Sequence, residues 1–234
     1  MTECPADFSG SENDLSFRLL KSIGGFYARA YYHTRIIRPC SLPTRGPAIL
    51  VSNHTSSIDP VFLQAFCPRL VRWMMAKEYF KYSAMRWMFD TVGVILVERS
   101  GRDMAATRAA IRALESGHIL GVFPEGKIEP SRELLPFQSG IGLLALKTGA
   151  PVYPAYLDGA QRNRGMIEAV LRRGNASIAY GPQVDLRDAD GVKEATARIQ
   201  AAVENLRVTN SKTPSYADQK SSGPADQTAA SAAR

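Results

Sequence analysis

The sequence predicts a single α/β domain with a mixed, largely parallel central sheet flanked by helices, preceded by an amphipathic N-terminal helical segment. Three observations carry that reading. From about residue 40 to 208, short apolar runs alternate with stretches of helical period. Gly117 and Gly149 stand just past two of the helical runs, where a left-handed C-cap is needed. The composition, 45% hydrophobic and 22% charged over 234 residues, suits a chain that buries its own core without disulfides or metals.

In order, strands are predicted at Ala48–Ser52, Val71–Met75, Gly93–Val97, Ile119–Phe123, Val152–Leu157 and Ser177–Tyr180. Helices are predicted at Pro60–Phe66, Ser83–Asp90, Asp103–Ser116, Ile141–Thr148, Arg162–Arg172 and Val192–Leu206. Residues 1–13 are acidic and polar, unlike a signal peptide, and read as a flexible start. Residues 209–234 lack periodicity and read as a disordered tail. The α/β domain is expected over 40–208.

Residues 14–39 are expected to form a basic helical segment that docks on a membrane. Between 16 and 38 the charges are Arg18, Lys21, Arg29, Arg35 and Arg38, with no acidic residue. Leu19, Leu20, Ile23, Phe26, Tyr27, Ala30 and Tyr31 recur at helical spacing, the pattern of an interfacial helix. A helix packed on its own domain with a solvated basic face is the alternative. Gly24-Gly25 marks a place for a break or kink.

The net charge of +7 favours an anionic partner. No nucleic-acid motif accompanies it. No run of about 18 apolar residues exists, so no membrane span is expected. Cys4, Cys40 and Cys67 are isolated, without ligand-like spacing, which fits a reducing compartment and no metal site.

The chemistry concentrates where apolar runs end. Ala48–Val51 runs into the polar turn Ser52-Asn53-His54-Thr55-Ser56-Ser57, and Asp59-Pro60 opens a helix, with Asp59 as its cap. At the carboxyl end of a strand, His54 and Asp59 can meet across the turn. The carboxylate would fix the tautomer and leave the other ring nitrogen as a general base. Ordinary turn and cap duty is the competing reading. Arg99 follows the run Gly93–Val97, Pro124-Glu125-Gly126 follows Ile119–Phe123, and Pro154 interrupts Val152–Leu157. A proline there marks an edge, a bulge or a strand end. At one rim these would combine a base, an anion-binding Arg and a turn with backbone N–H groups.

These islands resemble the four ordered blocks of the glycerolipid acyltransferase superfamily, over about residues 45 to 185. The blocks are Asn53-His54 with Asp59, Gly93 to Arg99, Phe123-Pro124-Glu125-Gly126, and Val152-Tyr153-Pro154. Pro136-Phe137 and Gly140 also match the family's pattern just downstream of the third block. Directly after that block the family reads Thr-Arg-Ser, whereas this chain reads Lys127-Ile128-Glu129. Lys127 or Arg132 would then carry the missing charge, though Lys offers no bidentate fork.

The resemblance implies O-acyl transfer from acyl-CoA or acyl-carrier protein to a lysophospholipid, 1-acyl-glycerol-3-phosphate by default, giving phosphatidate in phospholipid biosynthesis. It implies no cofactor beyond that co-substrate, and a peripheral protein on the cytoplasmic face of the cell membrane. His54 and Asp59 would be catalytic. Arg99, Glu125, Gly126, Lys127 and Arg132 would hold the acceptor and its phosphate. Oxyanion donors are expected around Glu125-Gly126. An acyl-enzyme route through Ser56 or Ser57 is a minor alternative. The stretches Trp73–Met75, Tyr79-Phe80 and Met85–Phe89 would line an acyl groove or pack as core. Acylation of another lysolipid, hydrolysis or phospholipid transacylation by the same dyad, and a non-enzymatic basic membrane-binding module are the competing functions.

Overall fold

A computed structural model describes residues 15–78, 86–98, 103–129, 133–159, 171 and 173–210. Seven strands form one sheet: β1 (Arg35–Arg38), β2 (Ala48–Ser52), β3 (Val71–Ala76), β4 (Ile95–Val97), β5 (Ile119–Val122), β6 (Val152–Asp158) and β7 (Ser177–Tyr180). Their order across the sheet is β1-β7-β6-β2-β5-β3-β4. Every pairing is parallel except β6 with β7. The helices are α1 (Leu15–Phe26), α2 (Asp59–Phe66), α3 (Arg86–Val92), α4 (Met104–Glu115), α5 (Gly140–Thr148) and α6 (Gly191–Asn210), with a π-helical turn at Tyr27–Tyr31. The expected mixed, largely parallel sheet between helices is what forms.

Side-chain alternation explains the three layers. All of β2 is buried, because both faces are covered. Ile49 and Val51 join the core under α4, α5 and α6, with Ala110, Ile141 and Ile199. Ala48 and Leu50 join the core under α2, with Phe62 and Leu63. Asp103 caps α4 by accepting from Ala106 N at 2.9 Å, and Gly149 ends α5 in the left-handed region.

Several expectations shift. The helical segment expected over 14–39 ends at Tyr31, and Arg35–Arg38 is an edge strand paired with β7. Its short R-I-I-R pattern sits inside a longer helical period, which masks a strand. Gly24-Gly25 does not break α1, and the change to π geometry comes after Phe26. Gly93 is not in a strand, since β4 begins at Ile95. Pro154 lies within β6, between β2 and β7, and marks where the β7 ladder ends. There Gly181 N donates to Pro154 O at 2.8 Å, and Pro154 has no N–H to return. The Ser41 hydroxyl donates to Gly181 O instead. The expected helix over 162–172 lies outside the described residues but for Leu171. Residues 1–13, and the tail beyond Asn210, lie outside as well.

The N-terminal helix has two faces. Phe17 and Gly25 are buried, and α1 packs on α2. Leu15 (77% exposed), Leu19 (57%), Ile23 (57%) and Phe26 (73%) form an apolar ridge turned outward.

Gly121 of β5 stands opposite Trp73 of β3. A Cβ there would collide with Trp73 Cε3, so the indole lies where a side chain would be. Gly121→Ala is expected to destabilise the fold by about 1–3 kcal/mol, as overpacking does. Urea unfolding measures this, and a variant as stable as the parent would contradict the packing described.

Candidate active site

Because β2, β3, β4, β5 and β6 run parallel, their carboxyl ends share one rim. The turn after β2 holds His54, and its sheet neighbours are β5, which leads to Phe123–Gly126, and β6, which ends at Asp158. Asn53 fastens this turn to the sheet. Its amide donates to Leu157 O and accepts from Leu157 N, both at 2.9 Å. One side chain thus extends the β2–β6 ladder after the backbone of β2 has turned away.

Asp59 is fully buried and organises the turn. Its Oδ2 accepts from Thr55 N at 2.6 Å and Ser56 N at 2.8 Å, and lies 3.1 Å from His54 Nδ1. The carboxylate therefore points back over the turn. It does not cap α2, whose N-cap is Ile58 with no side-chain bond, so the expected capping duty is not observed. Pro60 follows in the first turn of α2, where its missing N–H costs nothing. With Nδ1–H donated to Asp59, the lone pair is on Nε2.

The block after β5 braces the same turn from the other side. Glu125, 6% exposed, accepts from His54 N through Oε1 at 2.9 Å and from Leu135 N through Oε2 at 3.4 Å. Glu129 N donates to His54 O at 2.8 Å. Burial raises the Glu125 carboxyl to about 7, with the two N–H donors opposing and the Asp59 and Glu129 charges assisting. The Phe123 ring stacks on the His54 imidazole at 4.1 Å between centroids and 15° between planes. Trp73 stacks on the far side of Phe123 at 5.0 Å and 12°. The imidazole is thus held by a carboxylate at its edge and a ring at its face.

Of the site residues expected from sequence, His54, Asp59 and Glu125 come together. Gly126 and Lys127 are on the same turn and exposed. The Gly126 N–H donates to Phe123 O at 3.2 Å, so this amide closes the turn and is not an available oxyanion donor. A positive φ of 73°, and Gln138 Nε2 standing where a Cβ would be, account for glycine there. Arg99 and Arg132 lie outside the described residues, as do Tyr79, Phe80 and Met85. Ser56 Oγ and Ser57 Oγ are buried and make no hydrogen bond to His54. Gly93, expected as the start of an anion-binding block, has φ 61° and lies against the buried Arg72, whose guanidinium fills the space a Cβ would need. The sequence reading missed the bracing roles of Asn53, Phe123 and Trp73. Only the alternation along β3, which puts Trp73 and Met75 on one face, hinted at the last.

A family model described as acyltransferase matches residues 33–158. The chain is 32% identical over 126 residues to a 1-acyl-sn-glycerol-3-phosphate acyltransferase of Borreliella burgdorferi, covering 50% of this chain and 48% of the relative. It is 25% identical over 186 residues to a lyso-ornithine lipid O-acyltransferase of Rhodobacter capsulatus, covering 70% and 67%. The matches span about half or less of the first such relatives, 48% and 42% of their lengths. Among solved structures, the 1-acyl-sn-glycerophosphate acyltransferase PlsC of Thermotoga maritima shares the fold, with a TM-score of 0.71 at 23% identity over 87% of this chain and 85% of that one.

The raised Glu125 carboxyl makes stability depend on pH. The folded state keeps this proton up to about pH 7, the unfolded chain only to about 4.5. Its contribution is therefore present in acid and is lost as pH rises from about 4.5 to about 7, at most roughly 3 kcal/mol. Glu125→Gln is expected to remove this slope. Across that range the gap between the unfolding free energies of the two proteins should change by up to that amount. Parallel curves would show that the carboxyl titrates normally.

Proposed function

Because the chain belongs to the acyltransferase family, we propose that it moves a fatty acyl group from acyl-CoA or acyl-carrier protein to the free hydroxyl of a lysophospholipid. The acceptor is 1-acyl-glycerol-3-phosphate, and the product phosphatidate, as in phospholipid biosynthesis. The observation that carries this reading is the 3.1 Å contact between His54 Nδ1 and Asp59 at the rim of the sheet.

In this mechanism, His54 Nε2 removes the acceptor hydroxyl proton as the oxygen attacks the thioester carbonyl carbon. Asp59 stabilises the imidazolium that forms. The tetrahedral intermediate collapses, the C–S bond breaks, and the imidazolium proton passes to the departing thiolate. An ester and a free thiol result, with no covalent enzyme intermediate. Arg99, with Lys127 and Arg132, would hold the acceptor phosphate. A second reading, another lysolipid as acceptor, is favoured by Lys127-Ile128-Glu129 in place of the family's Thr-Arg-Ser and by the likeness to the lyso-ornithine lipid enzyme.

The lysophospholipid acceptor and its product reside in a bilayer, so the proposed reaction brings the domain to one. No helix among the described residues is long and apolar enough to cross a membrane. The outward ridge Leu15, Leu19, Ile23 and Phe26 supports peripheral docking, with the exposed Arg18 adding about 1 kcal/mol near anionic lipid; the proposed membrane side is the cytoplasmic face.

His54→Ala is expected to lower kcat by about 10²–10⁴ with the circular dichroism unchanged. Turnover retained in this variant, with any lysolipid and either thioester, would remove the dyad from the mechanism. Leu19→Glu combined with Phe26→Glu is expected to cut the fraction that floats with anionic liposomes at least several-fold, while His54→Ala floats like the parent. Unchanged flotation of the double variant would refute docking through α1.

A further inference from the structure

Two of the cysteines, 27 positions apart, meet in the fold. Cys40 lies in the connection from β1 to β2, and Cys67 follows the last residue of α2. Their sulfurs are 3.6 Å apart. Cys40 is half-buried and Cys67 only 1% exposed. The pocket around them is built. The Tyr180 hydroxyl, 3.7 Å from Cys67 Sγ, donates to Leu63 O at 2.8 Å. The Lys21 ammonium of α1 donates to Pro68 O at 2.8 Å, next to Cys67.

We propose that Cys40 and Cys67 are a modification site, an internal disulfide formed by a hydroperoxide and reversed by thiols. The Cys40 thiolate attacks one peroxide oxygen, the O–O bond breaks, and Cys40 becomes a sulfenic acid. Cys67 Sγ then attacks the Cys40 sulfur and displaces its oxygen as water. Two thiols lose two hydrogens, and the peroxide is reduced to water and an alcohol, or to two waters for hydrogen peroxide.

The two sulfurs are unequal in the manner this sequence of events requires. Cys40 has access to solvent. Its thiol is held below the ordinary value by its hydrogen bond with Cys67, and also by the Leu42 N–H and the Lys21 charge, against burial. Burial pushes the Cys67 thiol well up, so it waits as the resolving partner. Contact distance offsets its weaker nucleophilicity, since the reaction is intramolecular. Closing from 3.6 Å to the roughly 2.0 Å of a disulfide asks each sulfur to move about 0.8 Å.

The bond would encircle the active turn. Residues 40 and 67 flank β2, His54, Asp59 and α2, so the disulfide closes the strand-turn-helix unit into a ring. Its formation depends on nothing in the acyl-transfer reading, and its test needs no substrate.

The test uses the full chain with Cys4→Ser, treated with about one equivalent of hydrogen peroxide, then denatured with an alkylating agent and mapped without reduction. The expected result is a monomer in which the Cys40 and Cys67 peptides are linked, neither is alkylated, and dithiothreitol restores both thiols. The oxidised protein should melt roughly 5–10 °C higher. In the same background, Cys67→Ala should leave Cys40 as a sulfenic acid that dimedone traps, and Cys40→Ser should take up no peroxide. Two alkylated thiols, a Cys40 sulfinic acid without the link, or a link only between chains would each overturn the proposal. The link in the Cys4→Ser protein decides the matter even where Cys67→Ala fails to fold.

Discussion

The fully buried Asp59 carboxylate gathers Thr55 N–H, Ser56 N–H and His54 Nδ1 around itself. A buried carboxylate is costly unless its lone pairs are met, and here backbone and imidazole meet them together. The turn and the base are therefore one arrangement. A turn that opened would strip the charge of its donors, and a charge removed would leave two buried N–H groups without acceptors. Around this centre the other braces make sense as limits on motion. Asn53 holds the turn to β6, Glu125 and Glu129 hold its backbone from the β5 side, and Phe123 holds the ring plane.

Much of this was legible in the residues, for physical reasons. A run buried on both faces, such as Ala48–Ser52, must be apolar throughout, and that marks it on sight. His54 and Asp59 are close in sequence, so a turn alone can join them. What stayed hidden depended on long separations. Glu125 is 71 positions from His54, and its use as a backbone acceptor follows only from β2 and β5 being neighbours. The pairing of Cys40 with Cys67 and the Asn53 bridge to Leu157 are hidden for the same reason. Of the two roles the sequence suggests for Asp59, partner of His54 and cap of α2, only the first forms: an acidic residue before a proline looks like a cap, but its oxygen is taken by the turn that precedes it. On α1 the amphipathic period was legible but its facing was not. Phe17 and Gly25 go inward where α2 passes close, and Leu15, Leu19, Ile23 and Phe26 are left outside.

Function and fold divide the chain unequally. The amino-terminal part from α1 to β4 supplies the exposed ridge, the dyad and the buried Arg72 beneath Gly93. The part from α4 to α6 supplies most of the core under α4, α5 and α6, and among the described residues it reaches the site through the segment after β5, with Leu135, and the end of β6. On the turn after β5 the side chain of Lys127 is exposed, whereas Gly126, with its positive φ and Gln138 against it, is fixed by the fold. Changes at Glu125 would be felt at the turn that carries the base, since its side chain accepts from the His54 N–H.

The chain has two tryptophans, and they stand in unlike places. Trp73 is 5% exposed, at the end of the ring stack that leads to His54. Trp87 is 55% exposed on α3, which touches α1. An indole in a core emits to the blue of one in water, so the protein carries two optical reporters separated in colour. One looks at the imidazole through a phenyl ring, and the other looks out from beside the ridge. Light from this protein would thus distinguish an event at the site from an event at a lipid surface, without any label.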